Sequence, residues 1–242
     1  MIRRIRIRFR LPMGRTLFFL SAFTFALVAL LPLRLGLDWF GLGSRGFAAR
    51  EGTGSVWVGA VEEAQLGRVP LGDLGTSLET LPLLAGRARL TVRGLDGWRF
   101  EGAFTSSRHG FGVDDVTAEL SLAGALGPLP ITTLDLGDLS VRFERGQCRQ
   151  AEGRVRAALS GAIAGIPLPA LSGAARCEAG LLLLPLASQS ATERLELRVA
   201  GDGRYRAELR VRPSQPGLGA ALTAAGFAPA GDAYALRLSG AF

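Results

Sequence analysis

Apolar and polar residues alternate along much of the chain after residue 50. In residues 194–199 every second residue is charged, and the same alternation resumes in residues 204–212 after a Gly-Asp-Gly segment. Because successive side chains of a strand point to opposite faces, two such runs joined by a short turn predict a β-hairpin with one polar face. The apolar positions of this hairpin are Leu195, Leu197, Val199, Tyr205, Leu209 and Val211.

The same pattern recurs elsewhere and predicts the fold class. Residues 89–93 and 98–101 form a second predicted hairpin around a turn at 94–97. Further strands are predicted at 55–60, 113–122, 132–143, 151–159, 177–184 and 234–239, and short helices at 82–85 and 217–226. About ten strands at these spacings indicate a mainly β protein with a long twisted antiparallel sheet, half-closed or sandwich-like.

The N-terminal region has a different pattern. Residues 16–33 carry no charge, and as a helix they would span about 27 Å, close to the thickness of a bilayer core. The preceding tail contains six arginines and no acidic residue: Arg3, Arg4, Arg6, Arg8, Arg10 and Arg15. By the positive-inside rule these arginines determine the topology. We therefore expect a cytoplasmic tail (1–15), one transmembrane helix (16–33), a linker (34–50) and a periplasmic β-rich domain (51–242).

A cleaved signal peptide is the alternative interpretation of this region. The uncharged stretch is longer than the usual apolar core of a signal peptide, and bulky residues such as Trp39 and Phe40 follow it. No small-residue cleavage site lies close behind. The sequence therefore favours an uncleaved anchor in the inner membrane.

The distribution of charge along the chain bears on the class of binding partner. The formal net charge is +7, but the tail supplies +6 of it, which argues against a nucleic-acid partner that would need a basic folded domain.

Cys148 and Cys177 are the two cysteines of the chain. In an exported protein they are candidates for a disulfide, with two free buried thiols as the alternative.

No arrangement of residues predicts catalysis, and we expect no enzyme, no cofactor and no metal site. His109 is the single histidine and is not accompanied by a nucleophile motif. Asp114 and Asp115 are neighbours that would point to opposite faces of a strand unless a bulge intervenes. Residues 41–46 match G-x-G-x-x-G by letters, but neither a strand before them nor a helix after them is predicted.

The order of several segments resembles a known family. They are Gly-Ser-Val-Trp-Val-Gly at 54–59, Val-Pro-Leu-Gly-Asp-Leu at 69–74, Cys148 with Ala-Glu-Gly at 151–153, Cys-Glu-Ala-Gly at 177–180, and the closing segment 231–240. Together they resemble type II secretion system protein N (the GspN family) over almost the whole chain. The resemblance implies a bitopic inner-membrane accessory component that supports protein export across the outer membrane. Its partners would be other secretion-system proteins of the inner membrane or periplasm.

A looser similarity to AsmA-like envelope proteins supplies the alternative function, in which the sheet forms a groove that contacts or carries lipid. The two functions make different demands on the sheet surface. A closed core would bury Leu197 and Leu209, whereas an open groove would expose them to a lipid. A secretion scaffold would use polar contacts, for which Arg206 and Arg210 are candidates. We expect the closed core.

Overall fold

The computed structural model describes residues 13–35, 46–122, 131–159, 162–163, 166–213 and 217–241. The arginines at positions 3–10, the side chain of Arg15 and the glycine-rich residues 41–45 lie outside the described residues. The helices are α1 (Met13–Ala29), α2 (Thr80–Leu84) and α3 (Leu218–Ala224), and residues 33–35 are also helical. The two short helices predicted from the sequence are thus confirmed.

The rest of the described chain is mostly strand. The strands are β1 (Phe47–Ala48), β2 (Glu51–Gly54), β3 (Gly59–Leu66), β4 (Val69–Leu78), β5 (Arg87–Gly94), β6 (Phe100–Ser107), β7 (Gly110–Ser121), β8 (Ile131–Glu144), β9 (Gln147–Leu159), β10 (Ala162–Ile163), β11 (Ile166–Pro167), β12 (Leu171–Ala174), β13 (Arg176–Glu178), β14 (Leu181–Ala187), β15 (Glu193–Val199), β16 (Arg204–Val211), β17 (Ala228–Ala230) and β18 (Ala233–Ala241).

Sixteen of these strands form one antiparallel sheet. Its order is β1-β3-β4-β5-β6-β7-β8-β9-β12-β14-β15-β16-β18-β17, with β2 on β3 and β13 on β14, while β10 and β11 pair with each other. Most neighbours in the sheet are also neighbours in the chain, as antiparallel hairpins require. Within the described residues the two ends of this order do not pair, so the sheet is open. The predicted mainly β fold with a long antiparallel sheet is confirmed.

Both predicted hairpins are present. Leu195 lies opposite Leu209 in the β15–β16 pair, and Arg93 lies opposite Glu101 in the β5–β6 pair. Two other strand predictions were wrong. Residues 55–58 form the turn between β2 and β3, and the segment 177–184 is divided by a turn in which Ala179 and Gly180 have positive φ. The pattern did not reveal these breaks because the first turn itself contains apolar residues (Val56, Trp57 and Val58), and the second is a short Ala-Gly step within the predicted strand.

The apolar positions of the sheet pack into one continuous core. It extends from Val61 on β3 to Leu209 on β16 and includes Leu222 of α3. Strands β4 and β7 contact each other although β5 and β6 separate them in the sheet. The sheet therefore curls over its own apolar face, which removes that face from water.

Helix α1 is shorter than the helix predicted at 16–33. It has 17 residues and ends at Ala29, and its side chains from residue 16 onward are exposed. Pro32 lacks the amide proton that would continue the helical hydrogen bonds, and it pairs with Ser55 instead. None of the helices in the described residues combines the length and the apolar character that a membrane crossing requires.

Candidate functional site at the helix end of the sheet

Helix α1 meets the sheet at one end, which we call the helix end. The antiparallel order brings several connections to this end: the turns at 54–59, 107–110, 144–147 and 178–181, together with α2. The register of the strands confirms that these connections lie at the same end, since Leu78 pairs with Leu90 and Gly110 pairs with Glu144. The helix end therefore gathers residues that are far apart in the sequence.

The turn at 54–59 binds the C-terminal end of α1. The indole Nε1 of Trp57 donates a 2.8 Å hydrogen bond to the carbonyl oxygen of Val28, in the last turn of the helix. The amide of Val56 donates to the carbonyl of Leu31 at 2.9 Å. The first bond satisfies a carbonyl group of the kind that a helix leaves without a partner at its C-terminal end, and the second holds the chain just beyond the helix. The glycine-tryptophan segment is thus the part of the sheet that binds the chain where it leaves the helix.

Two glycines of this segment are required by its geometry. Gly54 has φ +84°, a conformation that residues with a side chain rarely adopt. Gly59 has no room for a side chain, because a Cβ there would lie 2.7 Å from the carbonyl oxygen of Thr53 and 2.9 Å from that of Ser55, and it would also approach Cδ2 of Leu33. Leu33 is only 2% exposed and belongs to the core of the sheet. Four residues after α1 ends, the chain is therefore already part of the β-domain.

A disulfide stabilises the neighbouring part of the helix end. Cys148 on β9 and Cys177 on β13 are bonded, with 5.5 Å between their Cα atoms, which confirms the predicted pair. The amide of Cys148 also donates to the carbonyl of Gly180 at 2.8 Å. Closing a loop of this size contributes roughly 3–4 kcal/mol in the chain-entropy model. The bond holds the turns at 144–147 and 178–181 together.

A basic groove of about 870 Å³ opens at the helix end between α2 and the turn at 144–147. Its lining includes six arginines: Arg87, Arg89, Arg108, Arg142, Arg145 and Arg149. Arg89 is neutralised, because its Nε lies 3.1 Å from Glu79 and its Nη1 lies 3.7 Å from Asp114. The other five are exposed and form no ion pair with any carboxylate in the part of the chain that the structure describes.

Small residues create the groove. The register places Arg89, Thr105, Gly112 and Arg142 side by side across β5, β6, β7 and β8. Thr105 and Gly112 in the middle leave a low floor between the two arginines. The turn at 107–110 is joined to the next by a 2.9 Å bond from the amide of Arg145 to the carbonyl of His109. Guanidinium groups around such a floor are suited to binding anions.

His109 and Asp114 both line the basic groove, but no hydrogen bond or ion pair of the described residues joins the histidine to Asp114 or Asp115. His109 is an exposed residue of the turn between β6 and β7. Strand β7 contains a bulge at Asp115, but the two carboxylates have different partners: Asp114 is near Arg89, and Asp115 accepts from the hydroxyl of Ser140 at 3.4 Å. In the described ranges no group of three His, Cys, Asp or Glu side chains has a metal-binding arrangement.

The polar face of the β15–β16 hairpin carries rows of like charge. Arg194 lies opposite Arg210, Glu196 opposite Glu208, and Arg198 opposite Arg206. Arg210 donates a 2.6 Å hydrogen bond to Glu208, and Arg237 donates to the same carboxylate at 3.3 Å. Partial burial raises the pKa of Glu208, but these two hydrogen bonds and the charges of the two arginines together outweigh that effect and leave the pKa below its ordinary value. Arg210 is therefore already engaged within the domain.

The apolar face of the same hairpin is closed. Leu195 is 2% exposed and Leu209 is 1% exposed, and Leu197 packs against the core in a half-buried position. A lipid groove of the kind expected for the AsmA-like alternative would leave such positions open. At this hairpin the structure agrees with the expected closed core.

The family model for type II secretion system (T2SS), protein N, matches residues 45–237. The match covers more than half of the chain and includes the Trp57 turn, both cysteines and the basic groove. The chain belongs to the T2SS protein N family. Neither a curated protein nor a solved structure matches it. The match confirms the resemblance to this family that was noted from the sequence.

The sequence did not reveal the basic groove. Its arginines lie on β5, on β8, on β9 and in two turns, and charge counting assigned the excess to the N-terminal tail. Beyond that tail the charges nearly balance, so no local run of basic residues marks the site. The Trp57 segment was singled out from the sequence, but its role as the binding site for the end of α1 was not.

Proposed function

We propose that this protein is a membrane-anchored accessory component of the type II secretion pathway that supports export of proteins across the outer membrane. The observation that carries the proposal is the match to T2SS protein N over residues 45–237, which spans nearly all of the β-domain. The partners are other secretion-system proteins of the inner membrane or periplasm, and no nucleic acid is involved.

The proposed anchor is α1 with the exposed Leu30 that follows it, in a single pass with the N-terminus in the cytoplasm and the β-domain in the periplasm. Two observations support this topology. The side chains of α1 from residue 16 onward are apolar in large part and exposed, so the helix lacks a covering surface within the described chain. Six arginines precede this stretch in the sequence, and one, Arg34, follows soon after it.

The protein acts by binding and positioning in this proposal, without catalysis. The exposed His109 and the separate partners of Asp114 and Asp115 support that part of the proposal. The AsmA-like function is less favoured, because Leu195 and Leu209 lie in a closed core.

A secretion assay tests the proposal. Deletion of the gene in its own host should lower the amount of a type II substrate in the culture medium and raise the amount in the periplasm. A periplasmic enzyme that does not leave the cell serves as the control and should be unchanged. Unaltered secretion of every type II substrate, combined with altered envelope lipid, would favour the AsmA-like function instead.

A further inference from the structure

We propose that the helix end of the sheet docks on the membrane surface, with its arginines on anionic phospholipid headgroups and α2 in the interface. The inference rests on the proposed anchor and adds a second contact between the protein and the bilayer. It assigns the basic groove and the exposed leucines of α2 to one surface with one binding partner.

Exposed apolar side chains are concentrated at this end. Beyond residue 35, six large apolar side chains are exposed in the described residues, and four of them are Val58 in the α1-binding turn and Leu81, Leu83 and Leu84 on α2. Leu81 is 79% exposed and Leu84 is 88% exposed. Leucines that protrude this far from a five-residue helix contribute nothing to the core. They are favourable only where an apolar medium or partner covers them.

The charges around these leucines match an anionic surface. Arg87 begins the strand that follows α2, and Arg108, Arg145 and Arg149 project from the adjacent turns and from the start of β9. Glu144 is the exposed carboxylate among the groove residues. Arginine binds phosphate through paired N–H groups, and basic residues beside exposed leucines are typical of proteins that lie on membranes.

The short connection to α1 brings this surface to the bilayer. Leu31 is already hydrogen-bonded to Val56, and Leu33 is buried in the core. If α1 lies in the membrane, its C-terminal end holds the turn at 54–59 at the interface without an intervening linker. The helix end then faces the lipid headgroups, whereas the turns at the opposite end of the sheet point away from them. An acidic protein partner would explain the arginines but not their proximity to α1 and to exposed leucines.

The experiment uses the full-length protein in nanodiscs made of phosphatidylcholine alone or mixed with phosphatidylglycerol. The substitution Leu84→Trp adds a reporter at the most exposed residue of α2, and the unsubstituted chain gives the background signal of the three native tryptophans. Docking predicts a blue shift of the added emission and its quenching by lipids brominated near the headgroup, both stronger in the anionic discs. Deuterium exchange of residues 80–84 in the unsubstituted chain should slow in parallel.

A charge-reversal variant and a matched control give the test its specificity. R108E/R145E/R149E should lower the ratio of docked to undocked domain roughly 100-fold, because each basic residue near an anionic surface contributes on the order of 1 kcal/mol. The control R68E/R156E/R194E changes the net charge equally with exposed arginines away from the helix end, and it should retain docking. Circular dichroism spectra and denaturant midpoints equal to those of the unsubstituted chain establish that both variants fold.

Two results would overturn the proposal. If the chain inserts into the discs but the emission of the Leu84→Trp reporter and the exchange of α2 are the same in both lipid mixtures, the surface does not dock while the anchor stands. If the chain does not insert into discs at all, the anchor is wrong and docking at this surface falls with it.

Discussion

At the residue scale, neighbouring positions of one strand have opposite environments. Leu209 on β16 is 1% exposed in the core, whereas Arg206 on the other face of the same strand is exposed. The difference follows from the period of two, since residues an odd number of positions apart point to opposite faces. The consequence of introducing a charge should therefore depend on the face and not on the strand.

We predict that Leu209→Asp unfolds the β-domain or destabilises it by several kcal/mol, because an unpaired carboxylate would be buried in the core. Arg206→Asp is the matched control, and we expect it to change the free energy of unfolding by less than about 1 kcal/mol. Denaturant titration followed by circular dichroism measures both. A folded Leu209→Asp domain with a normal midpoint would contradict the closed core and would revive the lipid-groove alternative.

At the scale of elements, the connection between α1 and the sheet depends on a single turn. Trp57 and Val56 hold the backbone of residues 28 and 31, and Gly59 accommodates Leu33. This arrangement connects α1 to the sheet before the predicted linker at 34–50 begins. It also explains why tryptophan, with its long-reaching N–H donor, occupies this turn.

We predict that Trp57→Phe loosens this connection while the sheet stays folded. Loss of one hydrogen bond costs about 1 kcal/mol, which corresponds to roughly fivefold faster local opening. Hydrogen–deuterium exchange of peptides covering residues 28–35 and 54–59 should rise accordingly. Val58→Ala changes an exposed residue of the same turn and should leave the exchange unaltered. Equal exchange in Trp57→Phe and the unsubstituted protein would show that the indole contributes nothing to the connection.

At the scale of the whole molecule, one open sheet curls over its core and leaves α1 at one end. The charge distribution along the chain predicts which side of the membrane that sheet occupies. A reporter that works only in the periplasm should be active when fused after Gly46 or at the C-terminus, and a reporter that works only in the cytoplasm should be inactive there. The opposite pattern would reverse the topology. A mature chain that begins beyond residue 35 would contradict the membrane anchor but would still agree with export of the β-domain to the periplasm.

The sequence by itself determined the local features of this protein. Alternation predicted the β15–β16 hairpin and placed Leu195 and Leu209 on its apolar face, because a period of two encodes both the strand and the face that is buried. The pair Cys148–Cys177 and the family were also accessible, since the first needs only composition and context and the second needs only the order of short segments. These features depend on residues that are close in the chain or few in number.

The tertiary structure alone decided which distant residues meet. Arg87, Arg108 and Arg149 lie on different elements, and only the strand order and register bring them into one groove. Val56, Trp57 and Val58 in the turn at 54–59 resemble a strand in the sequence, but in the fold the amide of Val56 and the indole of Trp57 bind the backbone at the end of α1. Alternation reports the face of a strand but not the neighbour across the sheet, so the composition of the helix end required the fold itself.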